Sequence, residues 1–377
     1  MRERNFLFIY LDTGGGHKSS ARALKTYFEH LYPDVNVYLV NAFDRSNFLG
    51  RFFFEKGYHL MCTSLRGLWY IIYEIGQCTW FLELILKFIK PQMTSFLAHE
   101  IERLHITDVV SFHFAVTPSA HAAVKKSGKR IKISEIVTDP FTAHSAWFYD
   151  KQVDTYVFSQ MVRAQALEKY HYTEDKVKIM PILLNPIMLK KRTEDEIKEL
   201  KNKYQIPKDK KVLLIAGGGE GLPGTLGIVR EFIKQKDDFV VIAICGRNKQ
   251  SKFELEILKK TNPKFNLIIF GFVTFMEELV KICDCAVIKA GPASVFELLT
   301  NKKPVIISSF MHGQELGNMR YVVNNKVGYF IQEPKNISAK VHEIFSDDKI
   351  LLQLRENINA LDIQVDCTSF VHHLMEN

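Results

Sequence analysis

CDCAVIKAGPASVFELLTNKKPVIISSFMHGQELGNMRYVVNNKVGYF, residues Cys283 to Phe330, is the stretch whose reading decides the fold. An apolar strand, Cys285 to Ile288, runs into Gly291-Pro292-Ala293-Ser294, and a helix carrying Glu297 follows at once. A second apolar strand, Pro304 to Ser308, runs into His312-Gly313-Gln314-Glu315, and another helix begins near Asn318. Two strand-loop-helix units in succession predict two loops and two helix N-termini at the carboxyl edge of a parallel sheet, where open α/β sheets bind ligands. Glu297, Gln314 and Glu315 supply carboxylates and an amide, which suit sugar hydroxyls better than a flat aromatic cofactor.

Working outward, the same alternation recurs in both halves of the chain. Asn5–Leu11, Val35–Asn41, Asp108–Phe112 and Ile131–Val137 read as strands, with Lys18–Glu29 and Ala120–Lys126 as helices. Lys211–Ala216, Phe239–Cys245 and Leu267–Phe270 continue as strands, interleaved with helices at Leu226–Lys234, Phe253–Thr261 and Phe275–Ile282. Alternation at this spacing predicts an α/β protein with two parallel, doubly wound sheets. The hinge falls in Met180–Thr193, which carries two prolines and a basic cluster. We expect one domain over 1–185, a second over 194–345, and C-terminal helices over 346–377 that cross back to the first.

The 377 residues are enough for two cores of ordinary size. An apolar fraction of 47% and a charged fraction of 24% are those of a globular protein. Six scattered cysteines without a CxxC pair indicate buried, reduced thiols rather than a disulfide framework or a zinc site. MRERNFLFIYLDTGGG leads from a charged start straight into a strand and a glycine loop, and does not read as a signal peptide. The net charge of +8 suits an anionic partner, but the basic residues are spread out and no nucleic-acid reading module is visible.

An anionic membrane surface fits that charge better, because of residues 45–90. These hold eleven aromatics, six basic residues and three acidic ones, against an aromatic fraction of 12% for the whole chain. Glu74, Gln77, Glu83 and Lys87 interrupt the most apolar window, Leu68–Ile89, so a spanning helix is disfavoured. Aromatic and aliphatic residues beside Lys and Arg predict a helix lying in the bilayer interface. Phe52, Phe53, Trp69, Trp80 and, farther on, Trp147 are the rings assigned to acceptor or membrane. An aromatic-rich core helix pair is the alternative. The expected location is the cytoplasmic face of the cell membrane, as a peripheral protein.

The loops offer the chemistry. Asp12-Thr13-Gly14-Gly15-Gly16-His17-Lys18 is neither a Walker A loop nor a complete GxGxxG, and it brings His17 to a helix N-terminus. A histidine there can accept a proton from an attacking hydroxyl, or do no more than cap the helix. Asp139, in Val137-Thr138-Asp139-Pro140, ends a strand of the same domain and could be the base or orient it. Gly217, Gly218 and Gly219 open a second loop that does contain GxGxxG, at Gly219, Gly221 and Gly224. The next strand ends in Cys-Gly-Arg-Asn rather than in the acid that holds a dinucleotide ribose, so a nicotinamide cofactor is disfavoured. Backbone amides there could cradle a diphosphate, with Arg247 adding charge.

The stretches GGGHKSSARAL, VTDPFTAHSAWF, KVLLIAGGG, CGRN, GFV, KAGPASVFE and GQELGN, in this order, resemble the diacylglycerol glycosyltransferases of glycosyltransferase family 28. These include monogalactosyldiacylglycerol synthases and processive diacylglycerol glucosyltransferases. The resemblance covers essentially the whole chain and implies a GT-B fold, two Rossmann-like domains facing a central cleft. It also implies a UDP-hexose donor, glucose or galactose, on the C-terminal domain and a diacylglycerol acceptor at the N-terminal one. By position, Glu297 would hold the uridine ribose and Phe272 would lie beside the uracil. Ser294 and Gly217–Gly219 would line the diphosphate. Gln314 and Glu315, in a stretch ending at Asn318, would hold the hexose. His17 and Asp139 are the catalytic candidates. No Asp-x-Asp is present, so neither a metal nor another cofactor is expected. The chain departs from its relatives at Ala290-Gly291-Pro292, where Pro292 removes a backbone donor, and at Met180-Pro181. Transfer of N-acetylglucosamine to another lipid, UDP-sugar epimerisation, and a non-catalytic lipid-binding scaffold are the alternatives.

Overall fold

A computed structural model describes residues 4–12, 15–43, 66–236 and 238–376. By its contacts the chain divides into two compact units. One is Met1–Pro186 with Met311–Gly317 and Gln364–Asn377; the other is Ile187–Phe310 with Asn318–Ile363. The C-terminal segment is thus shared out: the helix Asp348–Asn359 belongs to the second unit and the helix Thr368–Glu376 to the first.

The first unit is a six-stranded sheet of β1 (Asn5–Tyr10), β2 (Asn36–Asn41), β3 (Asp108–Ser111), β4 (Lys132–Ile136), β5 (Asp154–Val157) and β6 (Val177–Ile179), in the order β2-β1-β3-β4-β5-β6. Every pairing is parallel. Its strands are apolar on both faces because helices cover both. Leu7, Ile9 and Val109 pack with Leu97, Ile101 and Ala120 on one side. Phe6, Phe8 and Val110 pack with Leu24, Phe28, Phe370 and Val371 on the other.

The second unit repeats the scheme with β7 (Val212–Ala216), β8 (Val240–Ile244), β9 (Leu267–Phe270), β10 (Cys285–Lys289), β11 (Val305–Ser309) and β12 (Gly328–Phe330), in the order β12-β11-β10-β7-β8-β9. These pairings are parallel too. Val212, Leu214 and Ile242 face Leu279 and Leu298. Leu213, Ile215 and Val241 face Val229, Phe232 and Val341.

In each sheet the winding reverses once, between β1 and β3 in the first and between β7 and β10 in the second. At such a reversal the loops on either side diverge and leave the strand ends open to a ligand. The strands anticipated from the sequence are present, with ends shifted by a residue or two. β5, β6 and β12 add to them: each is three or four residues long, and two of them are sheet edges.

The aromatic insertion forms the helices Arg66–Gly76 and Thr79–Arg103, as far as it is described. Leu82, Leu86, Met93, Leu97 and Ile101 of the longer helix point inward. Trp80, Leu84 and Phe88, four residues apart, point outward; Trp80 is 64% and Phe88 71% exposed. Tyr70, Ile71 and Ile75 of the shorter helix are exposed as well. Among the described residues no helix is long and apolar enough to cross a membrane. Phe52 and Phe53 lie outside the described residues, and Trp69 falls within the helix Arg66–Gly76.

Candidate active site

The reversal in the first sheet gathers three chain segments. His17 follows β1 in the first turn of the helix Gly15–Leu31, Phe112 follows β3, and Thr138 follows β4. His17 is buried, and its Nδ1 lies 2.9 Å from the Phe112 carbonyl oxygen and 2.9 Å from the Thr138 hydroxyl. A carbonyl oxygen accepts and cannot donate, so Nδ1 carries the proton and Nε2 the lone pair. Burial holds the His17 imidazole down to about 4, against the smaller opposing pull of the Phe112 carbonyl. At neutral pH it is therefore an uncharged ring, able to accept a proton.

Asp139 is next along the loop after Thr138, and it too is buried. The Trp147 indole N–H donates to its Oδ2 at 2.7 Å, and the Gln314 amide to its Oδ1 at 3.4 Å. Burial pushes the Asp139 carboxyl up to about 7; the two donors pull the other way, and the nearby Glu315 carboxylate adds to the rise. Asp139 and His17 share Trp147, whose ring centre is 6.0 Å from that of His17. Among the described residues no hydrogen bond joins them.

Trp147 narrows one expectation. The sequence assigns it to acceptor or membrane; it is fully buried at the centre of an aromatic group with Phe114 and His113, which excludes a membrane surface and leaves it beside His17 and Asp139. An indole with its N–H committed to a buried carboxyl gains more from the core than from a surface.

The segment Met311–Gly317 belongs to this unit. Thr142 donates to the carbonyl of Gly313 at 3.2 Å. Gly313, at φ +81°, lies against the Tyr73 ring where a Cβ would collide with it. Gln314 is thereby brought to Asp139. Glu315, assigned to hexose hydroxyls, is buried and accepts from the Met311 backbone N–H at 2.8 Å, so part of its acceptor capacity fixes its own loop.

Sequence reasoning passes over His113 and gives Thr138 and Tyr73 no part in the site. The rings of His113 and His17 lie 4.5 Å apart. Burial, with a smaller contribution from His17, holds the His113 imidazole well below the ordinary histidine range. Tyr73 is raised by burial and by the Asp139 charge. The run Ser111-Phe112-His113-Phe114, polar and aromatic directly after an apolar strand, is the available signal.

The second unit's reversal is lined differently. Gly221, at φ +75°, sits with its Cα where a Cβ would be 2.7 Å from the Cys245 carbonyl oxygen. Gly217 likewise leaves no room for a Cβ against Leu222, nor does Gly246 against Gly219. The loops after β7 and β8 are therefore packed backbone on backbone, and Arg247 N–H donates to the Gly219 carbonyl at 2.8 Å. The Arg247 guanidinium lies over the Phe272 ring, 5.1 Å from its centre, and the ring is 60% exposed. Gly217–Gly219, Arg247 and Phe272 are thus brought together. Pro292 occupies the first turn of the helix Pro292–Thr300, where its missing N–H removes no helical hydrogen bond. Ser294 and Glu297 lie on that helix, and desolvation pushes the Glu297 carboxyl up to about 7. Asn318 is buried and donates to the Ala290 carbonyl at 2.9 Å, so its side chain secures the loop leading to Gly291 and Ser294.

Known proteins resemble the chain over its length. The family model described as monogalactosyldiacylglycerol synthase matches residues 17–182, and that of glycosyl transferases group 1 matches residues 196–360. Monogalactosyldiacylglycerol synthase 2, chloroplastic, of Arabidopsis thaliana is 27% identical over 367 residues, covering 92% of this chain and 74% of that protein. Among solved structures, MurG of Acinetobacter baumannii superposes with a TM-score of 0.64 at 12% identity, covering 99% of each chain. The UDP-GlcNAc 2-epimerase of Neisseria meningitidis bound to UDP-GlcNAc gives 0.64 at 13% identity, covering 99% of this chain and 100% of that one. At such identities the structural likeness carries the fold, which is GT-B.

Proposed function

We propose that this chain, which belongs to the glycosyltransferase family of the monogalactosyldiacylglycerol synthases, transfers a hexose from UDP-galactose or UDP-glucose to the free hydroxyl of diacylglycerol. In this reaction the acceptor oxygen attacks the anomeric carbon, the bond to the diphosphate breaks, and the hydroxyl proton must go to a base. One observation carries the reading: a buried, neutral His17 with Nδ1–H committed to the Phe112 carbonyl, which leaves a lone pair on Nε2. A base that is uncharged at neutral pH and protonates as the nucleophile forms is what this step needs.

Asp139, held by Trp147 and Gln314, stands beside that base as the second acid–base candidate. We assign the nucleotide to the second unit. Phe272 offers a face for the uracil, Glu297 a carboxyl for the ribose, and Ser294 a hydroxyl near the diphosphate. Gly217–Gly219 allow close backbone approach to the phosphates, and Arg247 supplies positive charge. The acceptor arrives from a lipid surface, for which the outward stripe of Trp80, Leu84 and Phe88 beside the exposed Lys87 and Lys90 is suited. A peripheral position on a membrane suits that assignment, and we propose an anionic surface at the cytoplasmic face.

The test is direct. Purified protein is mixed with diacylglycerol vesicles and either UDP-galactose or UDP-glucose, and the lipid fraction is analysed for monohexosyl diacylglycerol. Formation with one donor identifies the hexose; none with either sinks the reading.

A further inference from the structure

We propose, resting on His17 as the proton acceptor, that Thr138 is a positioning residue: its hydroxyl and the Phe112 carbonyl together hold the His17 ring as the Nδ1–H tautomer. Both oxygens lie 2.9 Å from the same nitrogen. Since the carbonyl can only accept, the single Nδ1 proton is shared between two acceptors in a three-centre bond. The Thr138 oxygen is then an acceptor as well.

Both acceptors stand on rigid supports. Phe112 is buried, and its N–H donates to the Ile9 carbonyl at 2.8 Å, continuing the β1–β3 ladder. Val137, just before Thr138, donates in the same way to the Tyr156 carbonyl at 2.9 Å. Thr138 is itself buried and β-branched, so its χ1 has little freedom. Two acceptors converging from adjacent strand ends define the plane of the imidazole as well as its proton. A lone carbonyl would fix the proton but leave the plane of the ring to its packing against His113 and Trp147.

The neighbouring ring has the opposite arrangement. The Ala115 backbone N–H donates to His113 Nδ1 at 3.1 Å, so His113 carries its proton on Nε2. The two buried imidazoles, 4.5 Å apart, are thus distinct tautomers, that of His113 set by a backbone N–H and that of His17 by a backbone carbonyl with the Thr138 hydroxyl. His113 spends its lone pair, on Nδ1, on the Ala115 N–H, whereas His17 keeps its own, on Nε2. Among the described residues no hydrogen bond engages His17 Nε2.

Nitrogen-15 NMR of the full chain with labelled histidine, at neutral pH and without substrate, reads the tautomer, and His17→Gln identifies the signal. We expect Nδ1 protonated at His17 and Nε2 protonated at His113. Thr138→Val, which keeps the shape and loses the hydroxyl, should lower kcat about 3- to 10-fold, with the KM for UDP-hexose unchanged. Thr138→Ser should restore most of kcat. A His17 signal of the Nε2–H form overturns the proposal whatever the activity. Thr138→Val with full kcat overturns it too. Should the valine variant fail to fold, Thr138→Ala is compared with Thr138→Ser, and equal kcat in the two overturns the proposal. A protein with Nδ1–H at His17 that makes no glycolipid would sink the functional reading while supporting the hydrogen-bond assignment.

Discussion

The reversal point of the first sheet is lined with side chains, whereas that of the second is lined largely with backbone. At the first, His17, His113, Asp139 and Trp147 are packed out of water, and the ionisation of the titratable three shifts because burial penalises charge. At the second, Gly217, Gly221 and Gly246 clear space for main chain, and Arg247 is tied to Gly219 through its own N–H. Proton transfer requires a side chain that is uncharged, with a lone pair free, at the working pH; a diphosphate requires close, fixed dipoles. The two loops differ because the two tasks differ, although both stand on the same α/β plan. Perturbation should therefore act through chemistry in one unit and through loop geometry in the other.

The largest effect is expected at His17. His17→Ala should lower kcat by about 10²–10⁴-fold and leave the KM for UDP-hexose nearly unchanged, because the second unit is untouched. Initial rates at saturating donor measure this. A variant retaining most of its kcat would move the base to Asp139 and break the comparison on its chemical side.

Next comes the outward stripe of the first unit. Burying a large apolar side chain contributes about 1.5–3 kcal/mol. Trp80→Ser with Phe88→Ser should thus weaken vesicle binding by something like 10²–10⁴-fold, read by co-sedimentation, with UDP binding intact. High salt should remove the share due to Lys87 and Lys90 and spare the aromatic share. Undiminished vesicle binding would end the assignment of this stripe to the membrane.

A third test addresses the backbone-lined loop. Gly221→Ala must place a methyl against the Cys245 carbonyl at a positive φ, and overpacking of this kind costs about 1–3 kcal/mol. Thermal unfolding should show a lowered Tm, and calorimetry a weakened UDP affinity. Unaltered UDP affinity would mean that the loop does not serve the nucleotide.

The most gradual effect is a slope with pH. Glu135 is buried, with its Oε1 accepting from the Thr117 hydroxyl and its Oε2 without a hydrogen-bond partner among the described residues. Burial raises its carboxyl from an ordinary value near 4.5 to about 8. A raised acid is protonated in the folded state at pH values where the unfolded chain has already ionised. Its stabilising contribution is therefore complete below about 4.5, declines as pH rises, and is lost above about 8. Glu135→Gln should flatten that decline in Tm against pH, and an unchanged slope would assign it to Asp139 and Glu297.

Much of this architecture is legible in the order of residues, and the exceptions are instructive. The long buried strands are found because apolar runs bounded by glycine loops have few other readings. β6 and β12, three-residue edges, are missed because so short a run carries no period. The glycine loops announce themselves through residues that tolerate positive φ. That Trp147 faces inward, away from any membrane surface, is not written in the sequence, which does not say which way a ring faces. Thr138 is quoted in a motif but given no role, and His113 is passed over, because what they do comes from strands that adjoin across the sheet.

The sequence by itself thus determined the alternation of strands and helices, the two glycine loops and the aromatic insertion, since each is a local matter of period, backbone freedom or composition. The tertiary structure alone decided that His17 meets Phe112 and Thr138, residues 95 and 121 positions away, and that Gln314 reaches Asp139 across 175. It also decided which rings go inward. Hydrogen-bond partners and burial depend on long-range packing, and it is packing that sets the ionisation of a buried group.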